Sequence, residues 1–360
     1  MVYKVIGLMS GSSLDGLDIA YVQLEEVRGQ WTFEILQAEL LPYTDKWTED
    51  LRTAATINVS DFLKLHTAYG RFLGESVAAF ISRHELGHKV HFIASHGHTV
   101  FHEPANLTTF QVGDGAAIAA IAALPVISDL RSLDVALGGQ GAPIVPIGDK
   151  LLFGSYDYLL NIGGIANITI KQGDSMTAFD VCPANRILNV LAEREGLKMD
   201  EGGQLAAKGE LLVSVLDRLN TQDYYDQAPP KSLSNDAATD LAFPRLLESS
   251  HSNYDRLNTA VHHIAYQVAK AVKQFPHGKE TATMLVTGGG AFNTYLIEEL
   301  VKHLEPQNVT VHVPDANVVK FKEALVMALI GTLRWREEAN VLSSVTGSTR
   351  DSVGGALWLG

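Results

Sequence analysis

The chain has almost no cysteine: Cys182 stands alone among 360 residues. No disulfide can form within it, which excludes a cystine-stapled small module and fits a reducing compartment. Lysine and arginine nowhere cluster, and the formal net charge is −13. A phosphate-tracking nucleic-acid face is therefore excluded. An acidic chain can still hold a polyphosphate, because backbone N–H groups and a metal supply local positive potential. Long apolar runs are missing too. The most apolar stretch, Ala116 to Ile127, is short, alanine-rich and broken by Pro125, and cannot span a bilayer. The apolar run before Ser10 is too short for the core of a secretory signal. The expectation is a cytoplasmic protein with neither a membrane nor a nucleic-acid partner. Two nucleotide signatures are absent as well. No lysine follows the glycines of the first turn, so it is not a P-loop. No Gly-x-Gly-x-x-Gly with a distant acidic residue follows the first strand, which excludes a dinucleotide-binding dehydrogenase.

What is present is enough for two cores: 46% of the residues are hydrophobic, over a length that predicts two domains. The chain opens on Val5 to Ser10 and Gly16 to Val22, two β-prone runs around a turn of Gly, Ser and Asp. This reads as a β-hairpin. Gly11 and Gly16 would let the backbone approach a ligand and take positive φ. Ser12 and Ser13 add hydroxyl donors, and Asp15 and Asp18 could hold a hydrated magnesium. An ordinary Gly/Asp turn is the alternative. A second strand–Gly–Gly–strand unit follows at Tyr158 to Ile170, with Asn161 just before Gly163 and Gly164. The pair reads as an internal repeat, two lobes each presenting a Gly hairpin to a shared cleft. A third Gly-rich turn, Gly288-Gly289-Gly290, lies between the strand Thr283 to Thr287 and the helix Thr294 to His303, an order that suits phosphate binding.

Between these landmarks the pattern predicts a strand at Trp31 to Leu41 and a short helix at Asp45 to Thr53. A longer helix begins at an N-cap of Ser60 or Asp61 and carries Phe62, Leu65, Tyr69, Phe72, Leu73, Val77 and Phe80 at helical spacing. The run Ser95 to Pro104 holds His96, His98 and His102. A metal, a ligand contact or a structural role all fit it, and a ligand contact at a strand's C-terminal end fits best. Asp114, after Gln111, could cap the helix Ala116 to Ala123 or contact a ligand at its N-terminus. Arg131 is either a surface arginine or a bidentate partner for a carboxylate. Asp180, at the end of a short strand, is placed as a general base, with Asn185 as N-cap of the next helix. The stretch Pro229-Pro230-Lys231-Ser232 marks a break. Glu323 falls in the first turn of a helix Lys320 to Arg334, where a dipole-compatible surface role is the alternative. The apolar tail Ala356 to Leu359 should pack back on the first lobe.

Taken together these segments resemble the anhydro-N-acetylmuramic acid kinase family of the sugar kinase and actin-like ATPase superfamily. The resemblance is carried by Gly7 to Gly16, Ser95 to Pro104, Ala136 to Pro143, Leu160 to Asn167 and Gly288 to Gly290, in order along nearly the whole chain. It implies an α/β fold of two ribonuclease H-like lobes around a central nucleotide and sugar cleft. The expected lobes are residues 1–135 with the tail from about 340 to 360, and residues 136–339. It further implies an ATP- and magnesium-dependent kinase of an amino sugar, 1,6-anhydro-N-acetylmuramic acid, in cell-wall recycling, and a homodimer. Asp180 and Glu323 match catalytic positions. Gly11, Ser12, Ser13, Leu14, Asp15, Gly16, Leu17 and Asp18 match the ATP-phosphate segment, with Gly163, Gly164 and the Gly288 loop completing the nucleotide site. Asp15 is the water-mediated magnesium ligand. His96, Gln111, Arg131 and Asn161 are the sugar-binding set, Arg131 facing a lactyl carboxylate. One segment departs: Val181-Cys182-Pro183-Ala184 stands where the family reads Thr-Gly-Pro-Gly, so the loop is expected to follow another path. Another anhydro or amino sugar as substrate, or a non-catalytic regulator of the same fold, are the competing functions.

Overall fold

The computed structural model describes residues 1–173, 175–229, 231–247 and 250–360; Pro230, in the break at Pro229 to Ser232, lies outside them. The chain forms two compact units, residues 1–154 with 321–360, and residues 155–320. The first unit thus holds the Gly-rich loop 137–145, which had been expected in the second lobe. The reason is local: Gln140 N–H donates to Thr346 O, and Gly141 N–H to the buried carboxylate of Asp134.

Its sheet begins with β1 (Val2–Ser10), β2 (Gly16–Val27) and β3 (Gln30–Pro42), an antiparallel meander. β4 (Phe92–Ser95) runs parallel to β1. A separate hairpin follows, β5 (His98–Glu103) with β6 (Thr108–Val112). β7 (Val126–Ser128) joins the main sheet parallel to β4. The second unit carries β8 (Tyr158–Ile162), β9 (Ile165–Gln172), β10 (Ser175–Pro183), β11 (Ala282–Thr287) and β12 (Val309–His312). Last comes β13 (Ala356–Trp358), antiparallel to β7, which puts the C-terminal tail on the first unit's sheet as expected.

The sheet orders are β13-β7-β4-β1-β2-β3 and β10-β9-β8-β11-β12. Reversed, the second reads β12-β11-β8-β9-β10. It repeats β7-β4-β1-β2-β3 strand for strand, with the same antiparallel meander and the same two parallel additions. The internal repeat is therefore real, and each unit has the ribonuclease H-like order. The two Gly hairpins, β1–β2 and β8–β9, occupy the same place in their sheets.

Each core forms where alternate strand residues meet helices. In the first unit Ile6, Leu8, Leu17 and Ile19 pack with Tyr69, Leu73, Val77, Phe80 and Ile118. The helix Val59–Arg83 starts one residue before the expected caps. Asn58 is its N-cap, accepting from Asp61 N–H, since its extended backbone frees the side chain to turn back. Gly70 lets this helix touch the backbone of Asp114. The sheet's other face meets the helix Ala316–Trp335, and the contact is close enough to need glycine. A Cβ on Gly7 would lie 1.9 Å from Ala324 O, and one on Gly331 would lie 2.5 Å from Ala94 Cβ. The second unit's core is built on Tyr158, Leu160, Ile168, Met284 and Val286 with the helix Asn253–Gln274. No helix among the described residues is long and apolar enough to cross a membrane.

Candidate active site

The candidate residues divide between the units, and each group is built by its own sheet. In the first unit the β1–β2 turn spans residues 11–15, bonded from Leu14 N–H to Gly11 O. The expected positive φ at Gly11 and Gly16 is not found; the left-handed residue is Leu14, φ 56°. Gly16 is needed for a different reason, since a Cβ there would lie 2.5 Å from Leu41 O on β3. Gly11 has open space around it apart from Ser13 Oγ at 3.6 Å. Ser12 and Ser13 are exposed, and Ser13 Oγ donates to Asp15 Oδ1 at 2.6 Å. Leu17 is buried in the core.

Asp18 follows on β2, half-buried. Its carboxyl is pushed up to about 7, first by burial, then by the charges of Asp15 and Glu323. Glu323 itself lies on the helix Ala316–Trp335, two residues past a non-helical break at Phe321 (φ −113°, ψ 17°), and so falls in the first turn of the helical stretch after that break, as its sequence position suggests. A short helical stretch precedes the break, capped by Asp315, which accepts from Asn317 and Val318 N–H. Over the whole residue Glu323 is exposed. Enough protein surrounds its carboxyl for desolvation to raise its pKa, against the pull of Lys322 and Arg131. With Asp15 and Glu323 both close enough for their charges to act on Asp18, the three carboxylates form an all-oxygen donor set suited to a hard cation.

The raised Asp18 carboxyl, burial first and repulsion second, has a stability consequence. Unfolded, the Asp18 carboxyl titrates near 3.8; folded, near 7. Between those values the folded protein holds a proton that the unfolded chain does not, so folding stability falls as pH rises through that window. Asp18→Asn is expected to flatten the pH dependence of Tm between pH 4.5 and 8 and to raise Tm at pH 8. An unchanged slope would show that Asp18 is not the titrating group.

Around the C-terminal end of β4 lies the polar group expected to take the sugar. His96 and His98 do not share a strand face. Gly97, φ 71°, separates them, and a Cβ there would strike Val112 O. His98 instead opens β5. Arg131 Nε donates to His96 Nε2 at 2.8 Å, and His96 Nδ1 bonds Gly97 O at 2.9 Å. Since arginine only donates, Nε2 is the acceptor and Nδ1 carries the hydrogen. Burial and the Arg131 charge keep this imidazole neutral, with its pKa near 3. Arg131 is no surface arginine. Burial lowers it to about 10, still charged at neutral pH, and its Nη1 is tied to Gly141 O. Gln111 Nε2 donates to Thr109 Oγ1, while its Oε1 is buried without a hydrogen-bond partner among the described residues. Such an acceptor costs free energy until a donor meets it.

Local sequence pattern carried no sign of a chain of hydroxyls beside the hairpin. Tyr69 OH bonds Tyr43 OH at 2.6 Å, Tyr43 OH donates to Ser10 Oγ at 2.7 Å, and Ser10 Oγ bonds His98 Nδ1 at 3.0 Å. It fixes Ser10, the residue that enters the turn. Nor did it flag Ser95 and Thr287. They end β4 and β11, equivalent strands of the repeat, and each has a buried hydroxyl without a partner among the described residues. Aligning the two repeats would have paired them.

In the second unit Asp180 sits within β10, before a register shift at Cys182. Its Oδ2 accepts from Leu233 N–H at 2.8 Å, and its own N–H donates to Lys231 O. Burial raises the carboxyl; the Leu233 bond opposes this. The Val181 to Ala184 stretch needs no glycine. None of its residues has positive φ, and Cys182 and Ala184 are fully buried. Asn185 is the first residue of the helix Asn185–Glu193, not its cap. Its side chain is spent on Ile162 O. The amino end of that helix is held by the second hairpin: Gly164 O accepts from Ala184 and Arg186 N–H, and Gly163 O from Asn185 N–H.

Asn161 lies opposite Asn167 on β9 and beside Thr287 on β11. A Cβ on Gly288 would come within 2.5 Å of Asn161 Oδ1, and Gly288 has φ 81°. Gly290 packs on Ile162, whose Cγ2 would be 2.2 Å from a Cβ there, while Gly289 is exposed. The glycines do not enter a helix directly. A 3-10 turn, Gly289–Phe292, intervenes, and Asn293 caps the helix Thr294–Leu304 by accepting from Leu296 N–H.

Known proteins share this chain's sequence from end to end. The family model described as anhydro-N-acetylmuramic acid kinase matches residues 3–360. A protein of that name from Aliivibrio fischeri is 33% identical over 99% of both chains. Another, from Francisella tularensis subsp. novicida, is 31% identical over 95% of both. Among solved structures, the activator of 2-hydroxyisocaproyl-CoA dehydratase from Clostridium difficile with bound ADPNP superposes at a TM-score of 0.49, with 16% identity over 94% of this chain and 96% of that one. By the end-to-end family match and these relatives, the chain belongs to the anhydro-N-acetylmuramic acid kinase family.

Proposed function

We propose that the protein transfers the γ-phosphoryl group of ATP to O6 of 1,6-anhydro-N-acetylmuramic acid while water opens the anhydro bridge at C1. Water, ATP and the anhydro sugar become N-acetylmuramic acid 6-phosphate and ADP. The observation that carries this reading is the family match over residues 3–360.

The residues support it as follows. Asp180 is the base. With Oδ2 fixed by Leu233 N–H, Oδ1 is the oxygen assigned to the attacking water, and its raised pKa makes it a stronger proton acceptor than an exposed aspartate. The proton moves from water to Asp180, the C1–O6 bond breaks, and O6 takes the phosphoryl group. Arg131 has Nε bonded to His96 and one Nη1 hydrogen to Gly141 O, so Nη2 and the second Nη1 hydrogen are the donors assigned to the lactyl carboxylate. Gln111 Oε1 suits the acetamido N–H, whose donation would satisfy it. Gly11 to Asp18, Gly163, Gly164 and Gly288 to Gly290 are the phosphate-facing segments, and Asn161 and His96 position the sugar. Magnesium would be held through water by Asp15, with Asp18 and Glu323 beside it, and would supply charge neutralisation on the transferring phosphoryl.

The test is direct. Protein incubated with ATP, magnesium and 1,6-anhydro-N-acetylmuramic acid should give a product heavier by one water and one phosphoryl group in mass spectrometry. Gain of a phosphoryl group alone would mean a conventional sugar kinase. No product with this sugar would turn the reading to a different one.

A further inference from the structure

We propose that the second unit carries a binding site for a divalent transition-metal ion of the zinc class, made by His262, Glu299 and His303 and separate from every residue assigned to catalysis. One ligand atom from each of the three lies within 4.8 Å of the others. Two helices supply them. His262 is on Asn253–Gln274; Glu299 and His303 are four residues apart on Thr294–Leu304, hence on one helical face.

The geometry is near that of a formed site. In a tetrahedral centre with ligands about 2.1 Å from the ion, neighbouring ligand atoms stand about 3.4 Å apart. His262 Nδ1 and Glu299 Oε2 are 3.4 Å apart, so one edge is already in place. His303 is only half-buried, and a side-chain rotation would bring it in. Two imidazoles and one carboxylate are a donor set that zinc takes with a fourth position left to water. Glu299 is 5% exposed. Its other oxygen, Oε1, is taken by the Lys302 ammonium at 2.6 Å, which leaves Oε2, the oxygen nearest His262, for a metal. Tyr266 and Lys302 are exposed at the rim, so the cluster is open to solvent. A bound ion would clamp the two helices together, and binding only the folded state would stabilise it.

A plain ion-pair network of Lys302, Glu299 and His262 makes the opposite predictions. Cobalt(II) added to the full-length, chelator-treated protein should develop the visible bands of a four-coordinate centre, and zinc should displace them with a rise in Tm. His303→Gln and Glu299→Gln should each weaken zinc at least about 10-fold. Lys302→Met removes a competing cation and should leave zinc binding unchanged or tighter. His303 is half-exposed, so that variant is expected to fold even if Glu299→Gln does not. Failure of cobalt to give these bands, or bands that persist in a His262→Asn/His303→Gln double variant, would overturn the site, the latter by placing the metal on other histidines. None of these readouts uses kinase activity, so they stand or fall apart from the proposed reaction.

Discussion

Replacing Asp180 by asparagine is expected to lower turnover of the anhydro sugar by about 10³-fold, the middle of the range for a lost general base, with nucleotide affinity unchanged. The substitution is nearly isosteric. An amide oxygen can still accept from Leu233 N–H, the bond that fixes Oδ2, so β10 should keep its path and the Asp180 backbone its bond from Tyr224 OH. What is lost is the ability to take a proton. The measurement is single-turnover phosphorylation alongside nucleotide titration. A drop in turnover together with a loss of ATP binding would mean a structural role. Unchanged turnover would remove Asp180 as base. The raised carboxyl also sets the acid limb of the rate profile. Turnover should fall as pH drops through a value above the ordinary aspartate range, and that limb should vanish in the asparagine variant.

Asp180 also shows what the sequence can and cannot display. Its residue type and its place near a strand end were legible, because β-prone runs broken by Gly, Pro and Asn announce their own ends. The two Gly hairpins were legible for the same reason, and so was their repetition; the shared strand order now gives that repetition its structural meaning. Local signals failed wherever a distant contact decides. Leu14 takes the left-handed turn position that glycine was expected to fill, because the turn closes through Leu14 N–H to Gly11 O and nothing nearby demands a missing Cβ at Gly11. Arg131 read equally well as a surface residue until His96 and Gly141 were seen to hold it. Val181 to Ala184 read as a disrupted glycine loop, yet its backbone needs no positive φ and its small side chains fill core. The metal cluster was half visible, as Glu299 and His303 share a helix face. His262 comes from another helix, which no spacing rule within one helix could supply.

Gly7→Ala is expected to be the most destabilising single methyl in the first unit. Gly7 lies in the middle of β1, where a glycine weakens a strand without some compensating need. The need is Ala324 O, which a Cβ would meet at 1.9 Å, with Ala328 N at 3.0 Å. Both obstacles are backbone, so no rotamer can relieve them; the helix Ala316–Trp335 must lift off the sheet. Overpacking of this kind costs upwards of about 3 kcal/mol, or a fall in Tm of roughly 10 °C for a unit of this size. The functional effect follows from position. Glu323 precedes Ala324, so lifting the helix moves its carboxyl away from Asp18, and the Asp18 pKa should fall toward the ordinary range along with activity. Gly331→Ala makes an informative partner, because there the obstacle is the side chain of Ala94, 2.5 Å away. Trimming it with Ala94→Gly should restore much of the stability lost in Gly331→Ala. Gly7→Ala has no such remedy, since nothing can be cut from a carbonyl oxygen. If Gly7→Ala instead keeps its Tm, the helix does not rest on β1 as closely as this, and the placement of Glu323 beside Asp18 falls with it.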